Sequence, residues 1–138
     1  MAAFVTTVPL RWTDQDAYRH LNHAKAITLL EEARIALFFD TATADGVDGF
    51  ARGLLVAGLG VDYRHQIRYR SGTLRVAMWV QDVRAASFRI GYEMHDGADA
   101  SDPVAVTAHT DMAIYDMSAG RPRRLVGEER EFLKRWLR

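Results

Sequence analysis

The chain has 138 residues, a length typical of one domain, so we predict a single domain over residues 1–138. Its 18 basic and 18 acidic side chains balance, which argues against the broad basic face that nucleic-acid binding needs. It has no cysteine, which excludes disulfides, thiol catalysis and cysteine-bound metal clusters. The N-terminal MAAFVTTVPLRW lacks the pattern of a signal peptide, and no apolar run is long enough to span a bilayer. The sequence therefore predicts a cytoplasmic protein without a membrane partner.

The first predicted elements are a strand, a polar loop and a long helix. Residues 3–12 are rich in β-forming residues, and residues 13–21 are polar. Asn22 is a good N-cap, because its side chain can accept a hydrogen bond from a free helix N–H group. A helix is predicted from His23 to about Asp40, with an apolar stripe formed by Ala24, Ile27, Leu30, Ala33 and Leu37. Further apolar residues widen this stripe, so several sides of the helix should be covered: Ala26, Leu29, Ala36 and Phe39.

The remainder of the sequence predicts an antiparallel sheet and a short helix. After a break at residues 45–49, alternating apolar residues predict strands over 61–70, 74–81, 88–94 and 104–114. The C-terminal GEEREFLKRWLR predicts an amphipathic helix whose inward residues are Phe132, Leu133, Trp136 and Leu137. One helix followed by meandering strands favours an α+β fold, with the sheet wrapped around one long central helix. Such a sheet leaves open edges, which predicts a homo-oligomer.

The segment DQDAYRHLNH places two aspartates directly before the predicted helix start. The first N–H groups of a helix have no intrahelical partners and carry partial positive charge, which favours a developing oxyanion. An aspartate has an ordinary pKa near 3.9, so it is ionised at neutral pH and can act as a general base or as a nucleophile. Asp14 or Asp16 facing the helix start would form a workable hydrolytic site.

The longer segment DQDAYRHLNHAKAITLLEEAR resembles the active-site segment of hotdog-fold acyl-CoA thioesterases of the 4-hydroxybenzoyl-CoA thioesterase type. Their pattern is roughly D-x-D-x-x-G-H-x-N-x-x-x-Y, followed by a helix that ends E-x-A-R. The matching residues are Asp14, Asp16, His20, Asn22, Glu32, Ala33 and Arg34. The order of one helix and then meandering strands also fits, so the resemblance covers essentially the whole chain.

This resemblance implies a hotdog fold and the hydrolysis of an acyl-CoA to a free acid and CoA. It places catalysis on Asp16 and polarisation of the thioester carbonyl on a backbone N–H at or near His23, while His20 and Asn22 shape the loop. It implies a homodimer or homotetramer in which the pantetheine enters along the subunit interface and the acyl chain lies between the helices. It implies no metal or other cofactor.

The segment departs from the family pattern at two positions. Arg19 stands where the pattern has glycine, which has a backbone cost if φ is positive there. Arg19 could instead reach the CoA or the substrate, and Ile27 or Thr28 stands where tyrosine is frequent. Arginine forks suit the phosphates of CoA, and Arg68 and Arg70 are the first candidates because they alternate out of an otherwise apolar strand.

Simpler structural roles stand beside several of these assignments. Asp14 could be a turn residue that orients the loop, and His20 could bond the loop to a backbone carbonyl. Glu31 and Glu32 favour an ion pair with Arg34 or a strand arginine. His109 and Asp111 share a strand face and could form a dyad, although an exposed or interface polar face is the simpler interpretation.

Three other functions remain open at this point. Asp14, Asp16, His20 and His23 suit zinc or manganese by residue type, but they lack the ligand spacing of a metal site on one helix face. A hotdog protein could also bind acyl-CoA without hydrolysing it. Hotdog dehydratases and hydratases resemble different motifs, and the fold alone does not separate these activities.

Overall fold

One long helix lies against an antiparallel sheet in the computed structural model, which describes residues 3–138. The helices are α1 (His23–Ile35), α2 (Ala42–Ala44) and α3 (Gly127–Lys134), and a π-helical segment (Ala36–Thr41) joins α1 to α2. The strands are β1 (Phe4–Pro9), β2 (Leu54–Tyr63), β3 (Thr73–Gln81), β4 (Ser87–His95), β5 (Val104–Asp116) and β6 (Arg121–Pro122). Two 3-10 turns complete the elements, at Trp12–Asp14 and Phe50–Arg52.

The sheet has the strand order β1-β3-β4-β5-β2, and β6 pairs with the end of β5. All of these pairings are antiparallel. The strand order places β1 and β2 at the two edges of the sheet. Beyond the end of β1, the C-terminal residues continue along β3: Val80 donates its N–H to Trp136, and Arg138 donates to Val80. The predicted α+β fold with an antiparallel sheet around one long helix is therefore confirmed.

The core lies between the helix and the inner face of the sheet. The predicted inner faces of the central strands are buried, at Leu74, Val76, Met78, Val80, Phe88, Ile90, Tyr92, Met94, Val106, Met112 and Ile114. From the helix, the buried residues include Leu29, Leu30, Ala33, Leu37 and Phe38. The sequence pattern also predicts that Ala24 and Phe39 face inward, but both are exposed. A π-helical turn holds more residues than an α-helical turn, so it shifts the buried face and places Phe38 in the core.

The strand predicted over residues 61–70 is wrong after Tyr63, and β2 begins earlier, at Leu54. The chain leaves the sheet at Arg64, where the N–H groups of Arg64 and His65 both point to the carbonyl of Ala105. It then runs beside the polar loop, because Leu21 donates to Ile67 and Tyr69 donates to Arg19. The alternating pattern therefore reflects burial of Ile67 beneath the loop, not a strand of the sheet.

The C-terminal helix buries Phe132 and Leu133 as predicted, and Trp136 packs edge-on against the rings of Phe132 and Phe4. Leu137 does not face inward. It lies beyond the end of α3 and is 47% exposed, because the chain there has turned to run along β3. Within residues 3–138, no helix is long and apolar enough to cross a membrane.

Candidate active site

The buried carboxylate of Asp14 fastens the end of the first strand to the start of α1. One oxygen accepts the backbone N–H of Arg11 at 2.8 Å, and the other accepts the Arg11 guanidinium, also at 2.8 Å. The carbonyl of Asp14 accepts the N–H of Asn22 at 2.7 Å. Burial opposes ionisation of this carboxyl, but the hydrogen bonds from Arg11 outweigh it and lower the pKa of Asp14. Asp14 therefore orients the loop as a fixed anion.

The start of α1 is capped by Asn22, as its side chain predicts. The Asn22 Oδ1 accepts the N–H groups of Ala24 at 2.9 Å and Lys25 at 3.2 Å, and its carbonyl accepts Ala26 at 3.0 Å. Among residues 3–138, the N–H of His23 has no hydrogen-bond partner. The helix start therefore keeps one free donor at the positive end of the helix dipole.

The carboxylate of Asp16 uses only one of its oxygens within the loop. Its Oδ1 accepts the N–H of Tyr18 at 2.7 Å and that of His20 at 3.0 Å. Within the described chain, Oδ2 has no hydrogen-bond partner. The hydrogen bond from the His20 backbone, helped by that from Tyr18, holds the pKa of Asp16 below its usual range. Asp16 is thus an ionised carboxylate with one free oxygen.

Asp16 and His23 line the same cavity, which has a volume of about 440 Å³ and which we call the loop cavity. His20 and Leu21 of the loop, Ala26 of α1 and the segment from Tyr63 to Ile67 complete most of its wall. The hydroxyl of Tyr63 donates to the carbonyl of His23 at 2.7 Å, which ties the end of β2 to the helix start. A ligand bound in this cavity would lie close to both a helix start and a carboxylate.

Comparison with protein-family models shows which family the sequence fits. Residues 10–137 match the model of the thioesterase-like superfamily, which is nearly the whole chain. The chain belongs to this superfamily. No curated protein sequence matches it.

Solved structures of similar fold carry the same description. A predicted thioesterase from Bacillus stearothermophilus superposes with a TM-score of 0.82 at 22% identity, over 99% of this chain and 98% of that one. The probable thioesterase YbaW from Escherichia coli has a TM-score of 0.76 at 21% identity, over 97% and 98%. A thioesterase from Thermus thermophilus, complexed with coenzyme A and Zn, has a TM-score of 0.75 at 22% identity, over 94% and 90%. At these identities the likeness supports the hotdog fold.

The three arginines predicted to bind substrate differ in how free their guanidinium groups are. Arg70 donates to Asp96 at 2.9 Å and to the carbonyl of Arg68 at 3.2 Å, so its fork is partly occupied. The side chains of Arg19 and Arg68 are exposed and have no hydrogen-bond partner within residues 3–138. They lie near each other because His20 pairs with Arg68 across the loop. All three stand outside the wall of the loop cavity.

Arg19 adopts a φ of 66°, the left-handed region that the glycine of the family pattern would occupy without strain. A turn forces this conformation, since Arg19 donates to the carbonyl of Asp16 while its own carbonyl accepts Tyr69. The backbone cost expected from the sequence is therefore present. This chain therefore has a long cationic side chain at a loop position whose backbone conformation favours glycine.

Several residues of the cavity wall were missed by the sequence analysis. Tyr63, Arg64, His65 and Gln66 all fall in the strand predicted over residues 61–70, and that prediction gives them no role in the site. His65 also lies 3.4 Å from Asp96. No sequence pattern reveals these positions, because they reach the site through pairing between two segments that are about 45 residues apart in the chain.

The alternative assignments receive little support from the geometry. Within residues 3–138, no three His, Cys, Asp or Glu side chains lie close enough to hold a metal ion. Asp111 forms a two-bond ion pair with Arg89, so its carboxylate is not available to His109 as a simple dyad. Glu31 lies 3.5 Å from Arg34, as the expected helix ion pair. The Nδ1 atom of His20 is buried without a partner in the described chain, and His20 is one of the residues that line the loop cavity.

Replacing Arg19 with glycine should stabilise the fold by about 0.5–1 kcal/mol, because the left-handed strain is removed and only part of the gain is lost to the greater freedom of glycine in the unfolded chain. Urea unfolding of the wild type and Arg19→Gly measures this difference.

Asp82→Gly is the matched control, since Asp82 has a φ of 50° in a different part of the chain. Aspartate tolerates this region better than arginine, so its gain should be smaller. A lower stability of Arg19→Gly would contradict the assignment of strain to this residue.

Proposed function

We propose that this thioesterase-like protein is an acyl-CoA thioesterase that hydrolyses a CoA thioester to a free acid and CoA, in the manner of the 4-hydroxybenzoyl-CoA thioesterase type. The observation that carries the proposal is the pairing of two groups in one cavity. The free oxygen of the Asp16 carboxylate and the unpaired N–H of His23 both belong to residues that line the loop cavity. One supplies a base or nucleophile, and the other stabilises negative charge.

In the proposed reaction the thioester carbonyl oxygen lies against the N–H of His23, where the helix start favours the developing oxyanion. Asp16 then acts through Oδ2. As a general base it takes a proton from water, which attacks the carbonyl carbon and releases the CoA thiolate. As a nucleophile Oδ2 would first attack the carbonyl carbon, break the C–S bond and expel the CoA thiolate, which leaves an acyl anhydride on Asp16; water then hydrolyses the anhydride to the free acid and the Asp16 carboxylate. Neither route needs a metal or another cofactor.

His20 and Asn22 act by position in this proposal. The backbone of His20 holds Oδ1 of Asp16, and Asn22 engages the neighbouring helix donors and leaves that of His23 free. Arg19 and Arg68 are proposed to contact the CoA phosphates, because their exposed side chains have no partner within residues 3–138 and each adjoins a residue of the cavity wall, Arg19 next to His20 and Arg68 next to Ile67. Arg70 can contribute as well, although Asp96 competes for its fork.

The protein is further proposed to form a homodimer or homotetramer joined along β2. This strand is an edge of the sheet, and its exposed apolar residues include Leu55, Val56, Leu59 and Tyr63. An exposed apolar edge strand is a strong site for pairing with another chain. A second copy at this edge would also approach the open side of the loop cavity, because Tyr63 belongs to both.

The first experiment is free-thiol release from a panel of short, long and aromatic acyl-CoAs by the purified protein and by Asp16→Ala. Loss of the carboxylate should reduce kcat/KM at least about a hundredfold, as expected for a lost base or nucleophile. Asp40→Asn is the matched control, because Asp40 is an exposed carboxylate on the helix outside the wall of the site.

Turnover that persists in Asp16→Ala would reject the assignment of Asp16. Saturable CoA binding without hydrolysis of any substrate would replace the proposal with an acyl-CoA-binding protein. In that case Arg19, which stands at the position of the family glycine, would have a role in ligand binding.

The pH dependence of kcat/KM should show little loss of activity between neutral pH and about 5. The reactive form is the carboxylate, and the pKa of Asp16 lies below the ordinary value of an aspartate. Activity should therefore disappear only as the pH falls through that lowered pKa. Circular dichroism at each pH checks that the protein stays folded. An acid limb centred above about pH 5 would point to a histidine, such as His20 or His65, as the base.

Light scattering of the purified protein should give a mass of two or four times the 15.6 kDa chain. Leu55→Lys places a charge on the β2 edge and should raise the dissociation constant at least about tenfold. Met117→Lys introduces the same charge at an exposed residue of the turn after β5 and should leave the mass unchanged. A wild-type monomer at all concentrations would contradict the proposed assembly.

A further inference from the structure

A second cavity of about 230 Å³ follows the loop cavity along α1, and we call it the helix cavity. Ala26 lines the first cavity and Ile27 the second. On β2, Tyr63 lines the first and Val61, two residues away, the second. Alternate residues of a strand point to the same face, so both cavities belong to one groove between α1 and the sheet. An acyl chain that starts beside His23 would run into the helix cavity.

The walls of the helix cavity are mostly apolar, but the part of α1 that lies farther from His23 contributes charged side chains to it. Ile27, Leu30, Val56 and Leu59 form much of the wall, His109 and Thr110 line it from β5, and Glu31 and Arg34 follow Ile27 along α1. Eight helical residues separate His23 from Glu31, which corresponds to about 12 Å along the helix axis. The polar groups therefore lie at the distance that the end of a medium-length acyl group would reach.

The cation on this part of α1 is Arg34, whose side chain is only 12% exposed. Within the described chain its guanidinium makes one hydrogen bond and one ionic contact, and both are long. Nη1 donates to the Tyr92 hydroxyl at 3.3 Å, and Nη2 lies 3.5 Å from the Glu31 carboxylate. The Tyr92 hydroxyl is itself held by a short hydrogen bond of 2.7 Å to the Thr110 hydroxyl, which fixes its place in the core.

These two contacts leave most of the N–H donors of the Arg34 guanidinium without an acceptor. It has five N–H donors, and a nearly buried cation is costly unless it is well paired. The Glu31 carboxylate is 56% exposed and makes no close hydrogen bond to any residue from 3 to 138, so it compensates the charge weakly. None of the Arg34 nitrogens is both fully buried and without a partner. The nitrogens that make no hydrogen bond are therefore still accessible, and Arg34 lines the helix cavity.

We propose that the acyl group of the substrate carries an oxygen acceptor, a carboxylate or a hydroxyl, at the end remote from the thioester, and that Arg34 binds it. This inference rests on the proposed function, since the groove leads from the thioester site. A carboxylate would accept two parallel N–H bonds from the guanidinium and would also compensate its charge. A hydroxyl would accept one bond and could donate to Glu31.

The test compares acyl-CoAs of equal carbon number that end in a methyl group, a hydroxyl or a carboxylate, at short and medium lengths. The wild-type protein should prefer at least one of the oxygen-bearing substrates by about tenfold or more in kcat/KM, mainly through a lower KM. In Arg34→Met this preference ratio should fall to about one. Arg34→Lys keeps the charge but loses the fork, so it should retain a reduced preference for the carboxylate.

Arg124→Met is the matched control, since Arg124 is exposed near the C-terminal helix and should leave the ratio unchanged. Equal kcat/KM for the three wild-type substrates would overturn the proposal, even if every Arg34 variant fails to fold. A ratio that survives in folded Arg34→Met would also overturn it, and would leave Arg34 with a role in packing or in contact with a second copy.

The same ratio can be obtained from binding of the three acyl-CoAs, measured by calorimetry. Absence of hydrolysis for all substrates would reject the proposed function and would still leave this comparison of affinities intact. Tighter binding of an oxygen-bearing acyl-CoA would support the role of Arg34, and equal binding would reject it.

Discussion

The arrangement of the site depends on the buried interaction between Asp14 and Arg11. Both carboxylate oxygens of Asp14 are used by Arg11, while its carbonyl holds the N–H of Asn22. One residue thus fixes the strand end and the helix start at once. Asp16 lies two residues beyond it, and His23 directly follows Asn22. The two groups proposed to act on the thioester are therefore held by the same anchor, from opposite ends of one loop.

Two aspartates of the same segment have different roles because their surroundings differ. Asp14 has no free acceptor and is buried, so its charge serves the fold. Asp16 engages backbone donors with one oxygen and leaves the other free at the cavity. Both have lowered pKa values, so ionisation alone does not distinguish them. What distinguishes the carboxylate proposed to react is an oxygen that the loop has not already used.

The features that could be predicted from the sequence are those set by local contacts. The N-cap at Asn22, the start of α1 and the inner faces of β3, β4 and β5 follow from residue type and periodicity. The segment after Tyr63 could not be predicted, because Ile67 is buried by the loop at Leu21, far away in the chain. Period-two alternation does not reveal which partner covers a residue. For the same reason, the competition of Asp96 for Arg70 was invisible in the sequence.

The π-helical segment between α1 and α2 separates the long helix into two stretches whose faces are set independently. The stretch next to the site keeps its own rotation, while Phe38 and Ala42 on the far side turn to the core in a different phase. Deletion of one residue within Ala36–Thr41 would convert the wide turn into an ordinary α-helical turn. Arg34 and the capped helix start both precede this turn, so such a change would rotate the distal stretch and leave these groups in place at the groove.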